Sequence, residues 1–154
     1  MSDPVNIHAS CVAIGNKGVL LLGKSGSGKS DLALRLIDGG AKLVADDRAL
    51  LFRKDGVLYA RAPDTIRGLL EIRCVGIVEL PVRRQVRLAL AVVLGREGAR
   101  LPKPQFWDLP APLRMNTKLP QIALDARYAS APAKVRAALE AFSDAAFRDN
   151  FNLK

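Results

Sequence analysis

Eight consecutive residues, Gly23-Lys24-Ser25-Gly26-Ser27-Gly28-Lys29-Ser30, constrain this chain more than any other stretch. They match the pattern Gly-x-x-x-x-Gly-Lys-Ser at every fixed position. An apolar run at 19–22 precedes them, and a segment with apolar residues at 32, 33, 34, 36 and 37 follows, which reads as a strand and then a helix. Glycines allow the backbone to curl with its N–H groups turned inward, and the helix start aims its positive dipole end at the same point. A loop of this kind cradles phosphate. Lys29 then reaches the β- and γ-phosphates and the Ser30 hydroxyl ligates a metal. The expected cofactors are ATP with Mg²⁺ or Mn²⁺.

The remaining pattern predicts a mixed α/β sheet rich in hairpins. Residues 5–14 read as a strand, 15–18 as a turn, 29–37 as a helix stopped by Gly39-Gly40, and 41–45 as a strand. Strands at 49–53 and 57–61 flank Lys54-Asp55-Gly56, a strong hairpin signal. Residues 69–80 mix strand-like apolar positions with charged ones, and 86–94 form a further apolar strand. Pro102, Pro104, Pro110 and Pro112 make 99–113 an irregular surface segment. A short strand at 119–124 follows, then a helix from Ser130, its N-cap, to about residue 147, with Pro132 in the first turn. A purely parallel doubly wound sheet needs more helices than this. The chain has 154 residues, shows no repeat or linker, and is expected to be a single domain over 1–154.

Composition narrows the partners. The net charge of +9 favours anionic ligands, but the 24 Lys and Arg are scattered and only 5 Phe, 2 Tyr and 1 Trp accompany them, so no nucleic-acid partner is expected. The apolar runs are too short to span a membrane, and no basic-then-apolar leader is visible at the start. Cys11 and Cys74 lack metal-ligand spacing and read as buried thiols in a reducing cytoplasm. The expected location is therefore cytoplasmic, with no membrane partner.

Phosphoryl transfer needs a metal carboxylate and often a base for the acceptor hydroxyl. Asp46-Asp47 ends the strand that follows the glycine-loop helix. Neighbouring side chains on an extended chain point to opposite faces, so one carboxylate should face the phosphates and the other serve structure. A turn-forming pair before Arg48 is the alternative.

The stretch GKSGSGKSDLALRLIDGGAKLVADDR followed by LLEIRCVGIVEL resembles the catalytic domain of HPr kinase/phosphorylase. That family carries a P-loop, an Ala-Asp-Asp-Arg segment and a Leu-Glu-Ile-Arg-Gly signature in this order. The match is close over residues 8–78. The resemblance implies a protein serine kinase acting on the phosphocarrier HPr of the phosphotransferase system, a fold related to phosphoenolpyruvate carboxykinase, and a hexamer. It implies Asp46 as the acid/base group and Ser30 and Glu71 as Mg²⁺ ligands. Lys29 becomes the phosphate lysine, His8 an active-site histidine, and Arg83, or its neighbour Arg84, an arginine beside the transferred phosphate. The chain resembles short forms that lack an N-terminal regulatory domain. Cys74 replaces the signature glycine, and residues 130–134 stand where a segment linked to dephosphorylation is found, so the resemblance implies the kinase and leaves phosphorolytic dephosphorylation of phosphoserine-HPr open as a second activity. A small-metabolite kinase and a non-catalytic ATP-binding regulatory module are the competing readings.

Overall fold

The computed structural model describes residues 3–115 and 117–143. The last four residues assigned to the second helix by pattern lie outside that range. Ten strands and two α-helices are present among the described residues: β1 Val5–His8, β2 Ser10–Ile14, β3 Lys17–Leu22, α1 Lys29–Asp38, β4 Lys42–Ala45, β5 Arg48–Lys54, β6 Val57–Arg61, β7 Leu69–Ile72, β8 Gly76–Glu79, β9 Gln85–Leu94, β10 Gln121–Leu124 and α2 Ala131–Ser143. Eight strands form one mixed sheet in the order β1-β5-β6-β9-β3-β2-β4, with β10 added to β9; β7 and β8 make a separate hairpin.

Strand β9 organises the sheet. Its first residues pair antiparallel with β6, its last with parallel β10, and its other edge with parallel β3. Strands β3, β9 and β10 therefore all point the same way and end together at Leu22, Leu94 and Leu124. In open α/β sheets this carboxyl end is where ligands gather.

Alternation along β3 sorts its side chains onto two faces. Val19 and Leu21 join Val12, Leu90 and Val92 against Leu32 and Leu36 of α1 and Val135 and Leu139 of α2. Leu20 faces the other way, into a second core with Leu51, Leu58 and Ala91. Each fully buried leucine contributes about 1.5–3 kcal/mol of burial. Among the described residues no α-helix packs on the second face. Leu109 and Leu113 from the proline-rich segment, with Leu119 just after it, cover it instead. That segment is irregular as the prolines dictate, but it closes a core rather than lying on the surface as expected. Two helices suffice because this loop does the work of a third layer.

The predicted strand at 5–14 is two strands. Residues 5–14 run antiparallel to 42–54, and the ladder holds on both sides of a gap: His8 pairs with Arg48 and Cys11 with Ala45. In the gap Ala9 and Ser10 face Asp46 and Asp47, and Asp47 takes φ 66, the left-handed region. Such interruptions re-aim side chains beside functional sites.

Candidate functional site

The loop between β3 and α1 takes its shape from glycine. Gly23 has φ 150, and a Cβ there would sit 2.5 Å from Ser27 Oγ and 3.0 Å from the Leu94 carbonyl oxygen. Gly28 is the N-cap of α1 at φ 99, and no side chain caps the helix. The N–H groups of the first turn lack intrahelical partners by geometry, so they and the helix dipole are directed at the loop. Lys29 is buried, and its Nζ donates to the carbonyls of Gly23 at 2.8 Å and Lys24 at 3.1 Å. Ser27 Oγ is buried in the same loop without a protein partner.

The loop is braced from behind by the far end of the chain. Arg35 of α1 donates to the carbonyls of Ala126 and Tyr128, and Arg136 of α2 donates to the Leu36 carbonyl at 2.9 Å, near the C-terminal end of α1. Asp125, at the end of β10, takes the Arg127 guanidinium and backbone N–H, and these bonds hold its carboxyl down to about 2.

Carboxylates reach the loop from the gap in the ladder. Asp46 is 8% exposed, and its Oδ1 accepts the hydroxyls of Ser30 at 2.7 Å and Ser10 at 2.8 Å. Asp47 is exposed and bonds His8 Nε2 at 2.8 Å. A cavity of about 410 Å³ lies over the start of α1, lined by Lys29, Ser30, Asp47, Glu71 and Arg73 among others. Glu71 and Arg73 arrive on the β7–β8 hairpin, which packs against α1.

Of the residues singled out from sequence, Lys29, Ser30 and Glu71 meet at this cavity, with Gly26 and Gly28 in its wall. His8 stands at its edge through Asp47. Two expectations fail. Asp46 does not line the cavity; it lies beneath Ser30, and Asp47 lines it instead. Strict alternation does not apply, because β4 ends at Ala45 and Asp47 is left-handed. Arg83 is also elsewhere. Its guanidinium donates to the Gly15 carbonyl at 3.1 Å and Asn16 Oδ1 at 3.2 Å, at the opposite end of β3 from the loop. At about 3.3 Å per residue, the 6 residues of β3 separate that turn from Gly23 by roughly 20 Å. Arg84 follows Arg83 and precedes β9, so it starts from the same end. Arg73 and Ser10 were not picked out as site residues. Arg73 sits two positions after Glu71, in the turn that follows β7. Cys74, expected to be buried, is exposed at φ 71; Cys11 is buried, which pushes its thiol well above its ordinary value.

These features define a mixed α/β protein built around an anion-receptive glycine loop with hydroxyl, ammonium and carboxylate groups converging on it. Residues 1–89, more than half of the chain, match the family described as HPr Serine kinase C-terminal domain, and the chain belongs to that family. It is 40% identical over 134 residues to an HPr kinase/phosphorylase of Leptothrix cholodnii, covering 77% of this chain and 40% of that protein. It is 48% identical over 75 residues to an HPr kinase/phosphorylase of Peptoclostridium acidaminophilum, covering 48% of this chain and 24% of the relative. The chain thus spans well under half the length of these curated relatives. The solved HPr(Ser) kinase/phosphatase from Coxiella burnetii shares the fold, with a TM-score of 0.73, 24% identity and 88% coverage of both chains. No described helix is long and apolar enough to cross a membrane.

Proposed function

We propose that this chain binds ATP in the loop 23–30 and transfers its γ-phosphoryl group to a serine of an HPr-type phosphocarrier protein. The observation that carries the reading is the convergence of Lys29, Ser30, Asp47 and Glu71 on one cavity at the N-terminus of α1. Family membership and the names of the relatives supply the protein acceptor.

The groups present suit a magnesium nucleotide. The Gly23 cradle rejects a side chain, the start of α1 is uncapped, and Ser27 Oγ is an unpartnered donor inside the loop. Ser30 and Glu71 offer hard oxygen ligands, and no cluster of three His, Cys, Asp or Glu able to hold a metal occurs among the described residues. That matches Mg²⁺, which prefers one or two protein oxygens plus phosphates and water to an all-protein cage. When bound, the metal neutralises charge on the transferring phosphates.

The chain's own residues then have distinct tasks. Lys29 exchanges its two loop carbonyls for phosphate oxygens. Asp46 fixes the Ser30 hydroxyl proton and leaves a lone pair of that oxygen for the metal. Asp47, not Asp46, takes the proton of the acceptor serine, because only Asp47 lines the cavity. His8 orients that carboxylate. The reverse reaction, phosphate attacking phosphoserine, would use the same proton in the other direction. The wider reading is a cytoplasmic enzyme in which residues 1–154 form one catalytic domain, with a fold related to phosphoenolpyruvate carboxykinase, assembled as a hexamer, with no nucleic-acid or membrane partner.

The test is incubation of the purified chain with γ-labelled ATP, Mg²⁺ and HPr. Label on a serine of HPr, dependent on metal, is the expected result. ATP binding without label on HPr would favour a regulatory module, and label on small metabolites alone would favour a metabolite kinase.

A further inference from the structure

We propose that Ser10 is a positioning residue that keeps Asp47 in register with Ser30; the inference rests on the reading of Asp47 as proton acceptor. Ser10 opens β2 at the gap in the ladder and is 0% exposed, followed by the buried Cys11, Val12 and Ala13. A hydroxyl at such a depth is costly unless both its donor and acceptor capacity are used. Both are. Ser10 donates to Asp46 Oδ1 at 2.8 Å and accepts the backbone N–H of Asp47 at 3.2 Å. The same Asp46 oxygen accepts the Ser30 hydroxyl at 2.7 Å.

Three hydrogen bonds therefore run unbroken from the glycine-loop serine through Asp46 and Ser10 to the main chain of Asp47. The main chain at Asp47 has φ 66, a conformation that a non-glycine residue keeps only when its surroundings hold it. Its carbonyl is held by the Ala9 N–H at 3.0 Å, and its N–H by Ser10. Remove the Ser10 hydroxyl and the peptide between Asp46 and Asp47 loses the partner of its N–H, keeping only the bond from the Arg48 N–H to the Asp46 carbonyl at 2.7 Å. The Asp47 carboxylate then loses its alignment with the loop, while the phosphate-binding groups stay where they are.

The experiment compares Ser10→Thr with Ser10→Val, side chains of nearly equal volume that differ in the hydroxyl. Ser10→Val is expected to lower kcat about tenfold, the effect of one hydrogen bond. Ser10→Thr should restore most of that loss. ATP affinity measured without metal should be unchanged in both. Amide hydrogen exchange at Asp47, followed by NMR, should accelerate in the Val variant alone, and this readout needs no turnover. Ser10→Ala, smaller than serine, repeats both measurements if valine prevents folding. Equal kcat and equal Asp47 protection with and without the hydroxyl overturn the proposal. So does a loss of turnover with Asp47 exchange unchanged. If the unaltered chain transfers no phosphate but Asp47 exchange still responds to the hydroxyl, the proposed reaction fails and the positioning role stands.

Discussion

At its C-terminal end β3 runs into a glycine loop that ends at the uncapped start of α1, whereas at its N-terminal end it emerges from the tight turn at Gly15-Asn16. Both ends carry cations. At the turn, Arg83 is engaged by a main-chain carbonyl and an amide oxygen, so its donors serve the fold. At the loop, Lys29 holds two carbonyls of the loop itself and lines one cavity with Ser30, Asp47 and Glu71. The difference is direction. Parallel strands β3, β9 and β10 deliver their carboxyl ends to one side, and the helix dipole adds to that side only. Positive charge alone does not make an anion site; convergent donors at the carboxyl end of parallel strands do.

The contrast can be broken by substitution, and the largest effect belongs to Lys29. Lys29→Ala should abolish transfer and weaken ATP binding at least tenfold, since a charge-assisted bond contributes about 1.5–3 kcal/mol. Calorimetric titration beside a transfer assay checks both; normal turnover would dissolve the loop assignment. Next comes Asp47→Asn, expected to cost about 10²–10⁴-fold in rate with ATP affinity held, as for loss of a general base. Near-normal turnover in that variant would return the role to another group. Asp46→Ala should act through structure: it removes the acceptor of the buried Ser10 hydroxyl and of the part-buried Ser30 hydroxyl and lowers stability by about 1–3 kcal/mol, read by thermal unfolding with and without Mg²⁺.

At the other end of β3, Arg83→Ala should leave kcat within about twofold and cost no more than about 1 kcal/mol of stability. A large loss of turnover would mean that this end takes part in the chemistry after all. The smallest effect concerns Asp125 behind the loop. Its pKa is depressed in the fold, to about 2. The stabilisation is therefore present above the unfolded value near ~3.9 and is lost as pH falls toward the folded one. Asp125→Asn should flatten the acid limb of an unfolding curve in that window, being slightly less stable than the unaltered chain at neutral pH and converging with it at acid pH.

Much of this was legible in the chain. The loop, its flanking strand and helix, the Asp-Gly hairpin and the late strand follow from residue type and periodicity, which act locally. The convergence of Glu71 on the loop was available through resemblance, since nothing local to 69–80 says where that hairpin lands. What pattern could not supply came from geometry that depends on partners far along the chain. The split of 5–14 arises only because 42–54 turns at Asp46-Asp47 beside it. That Asp47 lines the cavity while Asp46 lies beneath Ser30 follows from that same left-handed residue, which breaks the two-residue period of an extended chain. Arg83 was chosen by resemblance, and its place at the far end of β3 was not legible because the match is close only over residues 8–78 and nothing local says which end of a strand a turn occupies.

The brace behind α1 has a consequence for how such a chain is made. The helix is tied to Ala126, Tyr128 and Arg136, and β3 has β9 as a neighbour from some seventy positions further on. On a ribosome, residues 23–30 therefore emerge long before β9, β10 and α2 exist to brace them. Long-range pairing of this kind slows folding and exposes apolar edges in the interim. The nascent loop is a shape deferred, and a chain stalled after β8 would carry every residue of the loop while lacking the strand and the helix that make it a site.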